Sequence, residues 1–328
     1  MIRTLYRKAD GTIQTALAPV DFGAALADPR GLLWVDFEGE PPEACEPILR
    51  ESFAFHPLAI DDALQETHIP KLDDWGQYLY VALHAVDLDQ TSGGNVETRE
   101  LDIFLGVNYL VSHHDSPLVA VTRTWDRCQK DDRLTSGGAD RLAYNLTDEL
   151  VVAYMNVFED LDDALDRSEG EIFEQPSPET LASIFKIKRS ILTLRRTLAP
   201  QREVLNKLAR DQFPVIDPRE RVYFRDVYDH LVRLYDINES MRDQAGGALD
   251  TYLSVINNRM NDIMKTLTVI TTLFMPISFV VGFFGMNFFG PSAPMPGWTS
   301  MPVLAITLAV TVLTPLAMFM WVRRRGWM

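Results

Sequence analysis

The stretch Thr266–Asn287, TLTVITTLFMPISFVVGFFGMN, contains no charged residue, in a chain where 23% of residues are charged. Its length matches the ~20 residues that cross a hydrocarbon core as a helix. A second uncharged run, Met301–Val322, MPVLAITLAVTVLTPLAMFMWV, follows after a loop rich in Pro and Gly that also lacks charge. The tail RRRGWM comes directly after it. Two spans joined by a short loop form a helical hairpin at the C-terminal end.

Three adjacent arginines, Arg323 to Arg325, mark the cytoplasmic side of the second span. Two crossings return the chain to the side it left, so the N-terminal 260 residues are also expected in the cytoplasm. The expected location is therefore the inner (plasma) membrane, with both termini cytoplasmic and the 286–300 loop outside. A soluble hairpin of two core helices is the competing reading. The Arg cluster, with Trp321 and Trp327 near the interface, argues against it. Pro276 and Pro315 do not, since spanning helices tolerate proline when neighbours satisfy the freed carbonyls. The N-terminus, MIRTLYRKADG, has no apolar core of signal-peptide length.

Charge is distributed unevenly. Residues 1–261 carry 45 acidic side chains and 27 Lys+Arg, a formal charge of −18. Such a domain does not suit nucleic acid, which needs a basic surface. The acidity serves either solubility or a field that attracts cations. Cys45 and Cys128 match no metal or redox spacing. There is no P-loop, nucleophile elbow or dinucleotide fingerprint. Enzymatic activity, an organic cofactor and nucleotide-driven transport are therefore not expected.

The first ~130 residues mix strand and helix signals. Residues 31–39, 78–88, 101–106 and 108–114 read as strands, the last two as a hairpin, and Asp10-Gly11 as the turn of another. Residues 57–66 and 116–131 read as helices, with Ser116 as N-cap of the second. From about Ala139 the periodicity is helical, over 141–173, over 181–209, and from Arg219 without a stop into the first span. That last helix would be about 100 Å long at 1.5 Å per residue. Gly246-Gly247 is its weak point, or a place of close helix packing. The organisation expected is a cytoplasmic α/β domain over 1–135 and a helical hairpin over 136–215. A stalk helix continues into the first span over 216–287, followed by an outer loop over 288–300, a second span over 301–322 and a basic tail over 323–328.

One face of the first span is unusual. Asn261, Met264, Thr268, Thr271, Met275, Ser278 and Gly282 recur at steps of three and four, with Leu267 beside them. The stripe is polar, small or flexible, where lipid would face large apolar residues. Two readings stay open at this point: close packing of helices through Thr, Ser and Gly, or a pore face built from several copies around an axis. In the second, Met264, Leu267 and Met275 supply hydrophobic constrictions, and Asn, Thr and Ser offer oxygens to a hydrated cation.

GMN (285–287) closing the first of two C-terminal spans, the preceding MKTLTVITTLFMPISFVVGFF, YFRDVYDH (223–230) and the basic tail together resemble the CorA family of magnesium channels. The resemblance is close from about residue 140 onward and diffuse before it. It implies an α+β cytoplasmic domain, with a mixed or antiparallel sheet and flanking helices. A very long stalk helix and two transmembrane helices would follow, assembled as a homopentameric funnel. It implies passive uptake of Mg²⁺, and also Co²⁺, with Gly285, Met286 and Asn287 as selectivity filter. A ring of amides suits a filter, because Asn287 offers a neutral acceptor to the waters of an ion that dehydrates reluctantly. Gly285 is expected to permit an unusual turn at the mouth. One departure stands out: family members often continue with an acidic MPEL-like loop, and this chain has FFGPSAPMPGW. The zinc-transporting branch usually replaces the middle Met, so Met286 favours magnesium and cobalt. A membrane-anchored scaffold without transport is the alternative of another class.

The resemblance also implies closure by intracellular Mg²⁺ bound between subunits, at Asp89 after one strand and Asp226 in the stalk. Read alone, Asp226 is a solvated helix acid and Asp89 a turn residue. His56, His68, His84, His113, His114 and His230 form no metal motif in sequence and are read as non-ligands. His113 and His114 adjoin on a strand and so point to opposite faces.

Overall fold

The computed structural model describes residues 1–65, 69–89, 95–285 and 301–324. They divide into two compact units, Met1–Leu249 and Asp250–Met328.

The first unit is built on a seven-stranded sheet: β1 (Ile2–Arg7), β2 (Ile13–Thr15), β3 (Leu32–Glu38), β4 (Lys71–Asp74), β5 (Leu79–Asp89), β6 (Asn95–Leu105) and β7 (Tyr109–His114). The spatial order is β2-β1-β3-β7-β6-β5-β4. β3 and β7 run parallel, and the other neighbours are antiparallel. The expected hairpins are present. Gly11, at φ 88°, takes the left-handed conformation that the β1–β2 turn requires.

Alternation along each strand gives the sheet two buried faces. On one, Tyr6, Leu33, Val35, Phe37, Tyr80, Phe104 and Val111 meet α1 (Phe22–Leu26), α2 (Pro42–Glu51) and α3 (Pro57–Leu64). Phe55 stacks on Phe104 there, with ring centroids 4.2 Å apart. The other face is covered by α4 (Val119–Lys130), α6 (Ala139–Glu174) and α7 (Pro178–Arg210), while the short α5 (Asp132–Ser136) packs on α4 and α6. Trp34 of β3 meets Trp125 of α4 at 4.9 Å.

α4 does not start where the sequence predicts. Its first residue is Val119, and Leu118 is an N-cap without a side-chain bond. Pro117 follows Ser116 and disfavours a helical conformation there. Ser116 instead offers its carbonyl to the His114 ring. α7 begins three residues before the expected 181: Ser177 accepts from Thr180 N at 3.2 Å, and Pro178 fills the first helical position.

β4 is short and pairs with β5 only through Ala82. Beyond it, the outer edge of β5 has backbone groups with no strand to bond. Two buried side chains serve instead. Gln201 Oε1 of α7 accepts from His84 N, and Tyr154 Oη of α6 donates to His84 O, each at 2.9 Å. These bonds finish the sheet edge and fasten both helices to it.

α8 runs continuously from Arg221 to Phe284, 64 residues, and α9 from Met301 to Arg324. A Cβ built at Gly246 or Gly247 meets nothing within 4 Å, so packing inside this chain does not require these glycines.

Replacing Tyr154 with Phe leaves His84 O buried without its donor. The protein should lose about 1–3 kcal/mol, the cost of an unsatisfied buried group. Denaturant unfolding of the purified chain, followed by tryptophan fluorescence, measures it; an unchanged midpoint would mean that water replaces the hydroxyl.

Candidate ion pathway and metal-sensing carboxylates

Burial on α8 within the second unit falls on one side. Val269 is buried, and Thr272, Leu273, Pro276, Ile277 and Val280 are partly covered. On α9 the covered positions are Val303, Thr307, Thr311, Thr314, Pro315, Met318 and Val322, again a single stripe. Both apolar windows are otherwise almost wholly uncovered within the chain. A core helix of a soluble protein would be buried, so these helices need cover from outside the chain: lipid, other copies, or both.

Asn261, Met264, Leu267, Thr268, Thr271, Met275, Ser278 and Gly282 are all exposed. At 3.6 residues per turn the centre of this stripe lies roughly 150° around α8 from the covered side. The stripe is therefore free to face an axis. Thr268 Oγ1 donates to Met264 O and Thr271 Oγ1 to Leu267 O, both at 2.8 Å. With the hydroxyl hydrogen spent on the helix's own carbonyls, each oxygen turns lone pairs outward. A hydrated cation presents water hydrogens, so the stripe has the matching polarity. Met264 and Met275 are 55% and 65% exposed and interrupt the polar positions with apolar, flexible groups.

Gly285 continues α8, donating its N–H to Val281 O at 2.9 Å. Its φ is outside the left-handed region, so the unusual turn expected of it is absent at this residue. A Cβ there would lie 3.0 Å from Val281 O, the helix's own carbonyl. Met286 and Asn287 lie outside the described residues, as does Arg325.

Asp89 is the last residue of β5, paired with Asn95 of β6, and its side chain is also outside the description. Asp226 is exposed on α8, between buried Phe224 and Val227. Sequence reasoning missed its neighbour Asp148 on α6. Burial pushes the Asp148 carboxyl above its ordinary value, and repulsion from Glu149 and Asp226 adds to this, while His230 and Arg127 offset part of it. Tyr144, one turn before Asp148, also lies in the field of both aspartates. Asp148 and Asp226 are thus like charges held near each other, an arrangement that a dication relieves. No linear motif joins residues 78 positions apart, so this pairing emerges only from the packing of α6 on α8.

The two adjacent histidines do face opposite ways. His113 Nδ1 lies 3.6 Å from Asp102 on one face, and His114 Nε2 lies 3.3 Å from Asp36 on the other.

A family profile described as "CorA-like Mg2+ transporter protein" matches residues 29–324. The chain belongs to the CorA-like transporter family. It is 32% identical over 300 residues to the cobalt/magnesium transport protein CorA of Thermotoga maritima, covering 90% of this chain and 83% of that one. It is 23% identical over 321 residues to the zinc transport protein ZntB of Yersinia pseudotuberculosis, covering 97% and 94%. The solved structure of the CorA magnesium transporter from Methanocaldococcus jannaschii matches its fold with a TM-score of 0.82, at 21% identity, over 99% of this chain and 98% of that one. Membership makes the chain a divalent-cation transporter of the membrane and accounts for the two uncovered apolar helices.

If the exposed stripe faces a pore, Met275→Ser should widen and wet its narrowest apolar point. Reconstituted protein should then leak more ions at high internal Mg²⁺ than the wild type does. An unchanged leak would place Met275 on a packing face.

Proposed function

We propose that the chain forms a homopentameric channel that admits Mg²⁺, and also Co²⁺, down its electrochemical gradient. The observation that carries this reading is the polar stripe on the uncovered side of α8, running from Asn261 to Gly282 toward the tripeptide Gly285-Met286-Asn287. Copies around an axis would join their stripes into one aqueous path, with lipid and α9 on the outside. Asn287 rings the mouth and accepts hydrogen bonds from the waters of the ion, binding it weakly enough to let it leave. Met264, Leu267 and Met275 form the constriction. The basic end of α9, Arg323 and Arg324, supports a cytoplasmic placement for both termini. An inside-negative potential then adds about 2.3 kcal/mol per charge per 100 mV to entry of the ion.

Intracellular Mg²⁺ closes the channel by binding between subunits at Asp89 and Asp226, with Asp148 as a further carboxylate beside Asp226. Empty, these groups repel; bridged by a dication, they pull neighbouring domains together, so the closed packing is the state that metal favours.

A zinc-selective transporter is the second reading, supported by the resemblance to a zinc transport protein. Met286 in the tripeptide speaks for magnesium. Reconstitution into vesicles carrying ion-sensitive dyes separates the readings. Mg²⁺ influx exceeding Zn²⁺ influx is expected; Zn²⁺ preference would replace magnesium by zinc, and no flux at all would leave an anchored scaffold. In the same vesicles Asn287→Ala should lower Mg²⁺ flux roughly tenfold or more, because each subunit loses an acceptor worth about 0.5–1.5 kcal/mol and the losses add around the ring. Wild-type flux in an assembled mutant would remove Asn287 from the filter.

Protease protection tests the closure site. Millimolar Mg²⁺ should protect the wild type, and Asp89→Ala/Asp226→Ala should respond much less, with Asp148→Asn intermediate. Equal protection in all three would acquit these carboxylates.

A further inference from the structure

β3 and β7 form the parallel pair of the sheet, and their C-terminal ends lie side by side. Asp36 is opposite Ser112, and Glu38 is opposite His114. Ligand sites in α/β sheets gather at such strand ends. Gly39 fixes the corner: at φ 59° it turns β3 away and donates to His114 O at 2.9 Å. Alternation sends Asp36, Glu38 and His114 to the same face, the one that carries Trp34. One donor atom from each of the three lies within 4.8 Å of the other two. Asp36 and His114 are buried, and Glu38 is partly exposed, giving the cluster one open side.

The His114 ring is oriented for a ligand. Nδ1 lies 2.7 Å from Ser116 O. A carbonyl only accepts, so Nδ1 carries the hydrogen and the neutral ring has its lone pair on Nε2. Nε2 is buried and faces Asp36 Oδ1 at 3.3 Å; that carboxylate raises the affinity of the ring for a second proton, so a proton, like Arg3, competes for this nitrogen. A backbone carbonyl on one ring nitrogen, with the other nitrogen turned to the ligand site, is how metal-binding histidines are held. Asp36 is oriented in the same way. Ser112 Oγ donates to its Oδ1 at 2.5 Å and is itself fixed by Trp34 Nε1 at 2.9 Å.

A cation already attends the cluster. Arg3 Nη2 lies 2.5 Å from Asp36 Oδ2 and 3.4 Å from Glu38, and its guanidinium sits 4.9 Å from the Trp125 ring centroid. Arg3 brings one charge to two carboxylates, and it bonds the outer oxygen of Asp36 rather than the atom that faces His114.

We propose that Asp36, Glu38 and His114 form a binding site for a first-row transition dication, Co²⁺, Ni²⁺ or Zn²⁺, for which Arg3 is a built-in competitor. One imidazole nitrogen and two carboxylates, with water completing the shell, are donors that such ions accept. Mg²⁺ prefers an octahedron of oxygens and keeps its waters, so it gains nothing from the imidazole. The site would report on transition metal separately from Mg²⁺, by exchanging the Arg3 tie between β1 and β3 for a metal tie between β3 and β7. It stands whether or not the pore conducts.

The test uses the full chain in detergent at alkaline pH, where loss of the ring proton from His114 frees Nε2 for metal. Excess Mg²⁺ fills the oxygen-only sites, and Co²⁺ is titrated in, followed by its visible absorption and by calorimetry. One Co²⁺ per chain should bind beyond those sites. His114→Asn keeps a donor for Ser116 O and removes Nε2; affinity should fall roughly 100-fold, at least the loss seen when an outer-shell partner is removed. Glu38→Gln, at a partly exposed position that tolerates change, should weaken binding too and covers the case in which the His114 variant does not fold. Arg3→Met keeps the stem on Trp125 and should tighten binding by about tenfold, through loss of the competing charge. The proposal is overturned if Arg3→Met binds Co²⁺ no more tightly than the wild type, or if both ligand variants bind it unchanged. Arg3 is then the permanent counter-ion of a structural cluster.

Discussion

A helix long and apolar enough to span a bilayer, yet polar along one side, cannot be satisfied by lipid alone. That constraint governs the second unit. The hydroxyls of Thr268 and Thr271 bond their own helix, which settles the donors but leaves acceptors turned outward. In hydrocarbon those acceptors stay unpaired; facing water or other copies they do not. α9 offers no relief, because the polar stripe of α8 stays exposed with α9 present. The proposed assembly meets this constraint, since it would turn the polar sides to a common axis and the apolar sides to lipid.

The first unit obeys a different economy. Its sheet is covered on both faces, and the exposed edge of β5 is finished by Tyr154 and Gln201 rather than by another strand. The helices that finish it are also those that carry charge to the surface. Glu159, Asp160, Asp162, Asp163 and Asp166 all stand exposed on α6, between the buried residues that pack it. α6 thus joins three roles: its apolar side covers the sheet, its acidic side faces solvent, and Asp148 near its start meets Asp226 of α8.

Sequence legibility followed the strength of the periodic signal. The long helices, the hairpin of β6 and β7, and the continuous run of α8 were readable because their burial patterns repeat over many turns or alternate cleanly. α2 was not, since PEACEPILRE carries two prolines and few apolar residues. β4, KLDD, and the first half of β6, NVETRE, are polar strands whose pairing comes from neighbours rather than from their own composition. The exposed polar face of α8 was legible as a stripe, because a helix converts spacing into a face. The carboxylate next to Asp226 and the meeting of Asp36 with His114 were not, because each joins distant segments through the packing of helices or the register of strands. For the same reason, the lack of a linear histidine motif says little about ligation here.

The distribution of charge bears on how such a channel would work. Residues 286–300 have no acid, so on the proposed reading the mouth has no fixed charge with which to concentrate dications, and selection there would fall to neutral acceptors such as Asn287. Residues 1–261 hold a formal −18. In such a field a dication is drawn inward after passage rather than before it, and salt within a Debye length of about 8 Å confines that pull to the domain surface. The same charge makes close packing of several copies unfavourable until it is neutralised. Bound dications supply that neutralisation, and their supply rises with uptake. In the proposed channel an acidic domain paired with an uncharged mouth would therefore couple the product of transport to the packing that ends it, and paired carboxylates such as Asp148 and Asp226 would turn a diffuse repulsion into a local one that a single ion can reverse.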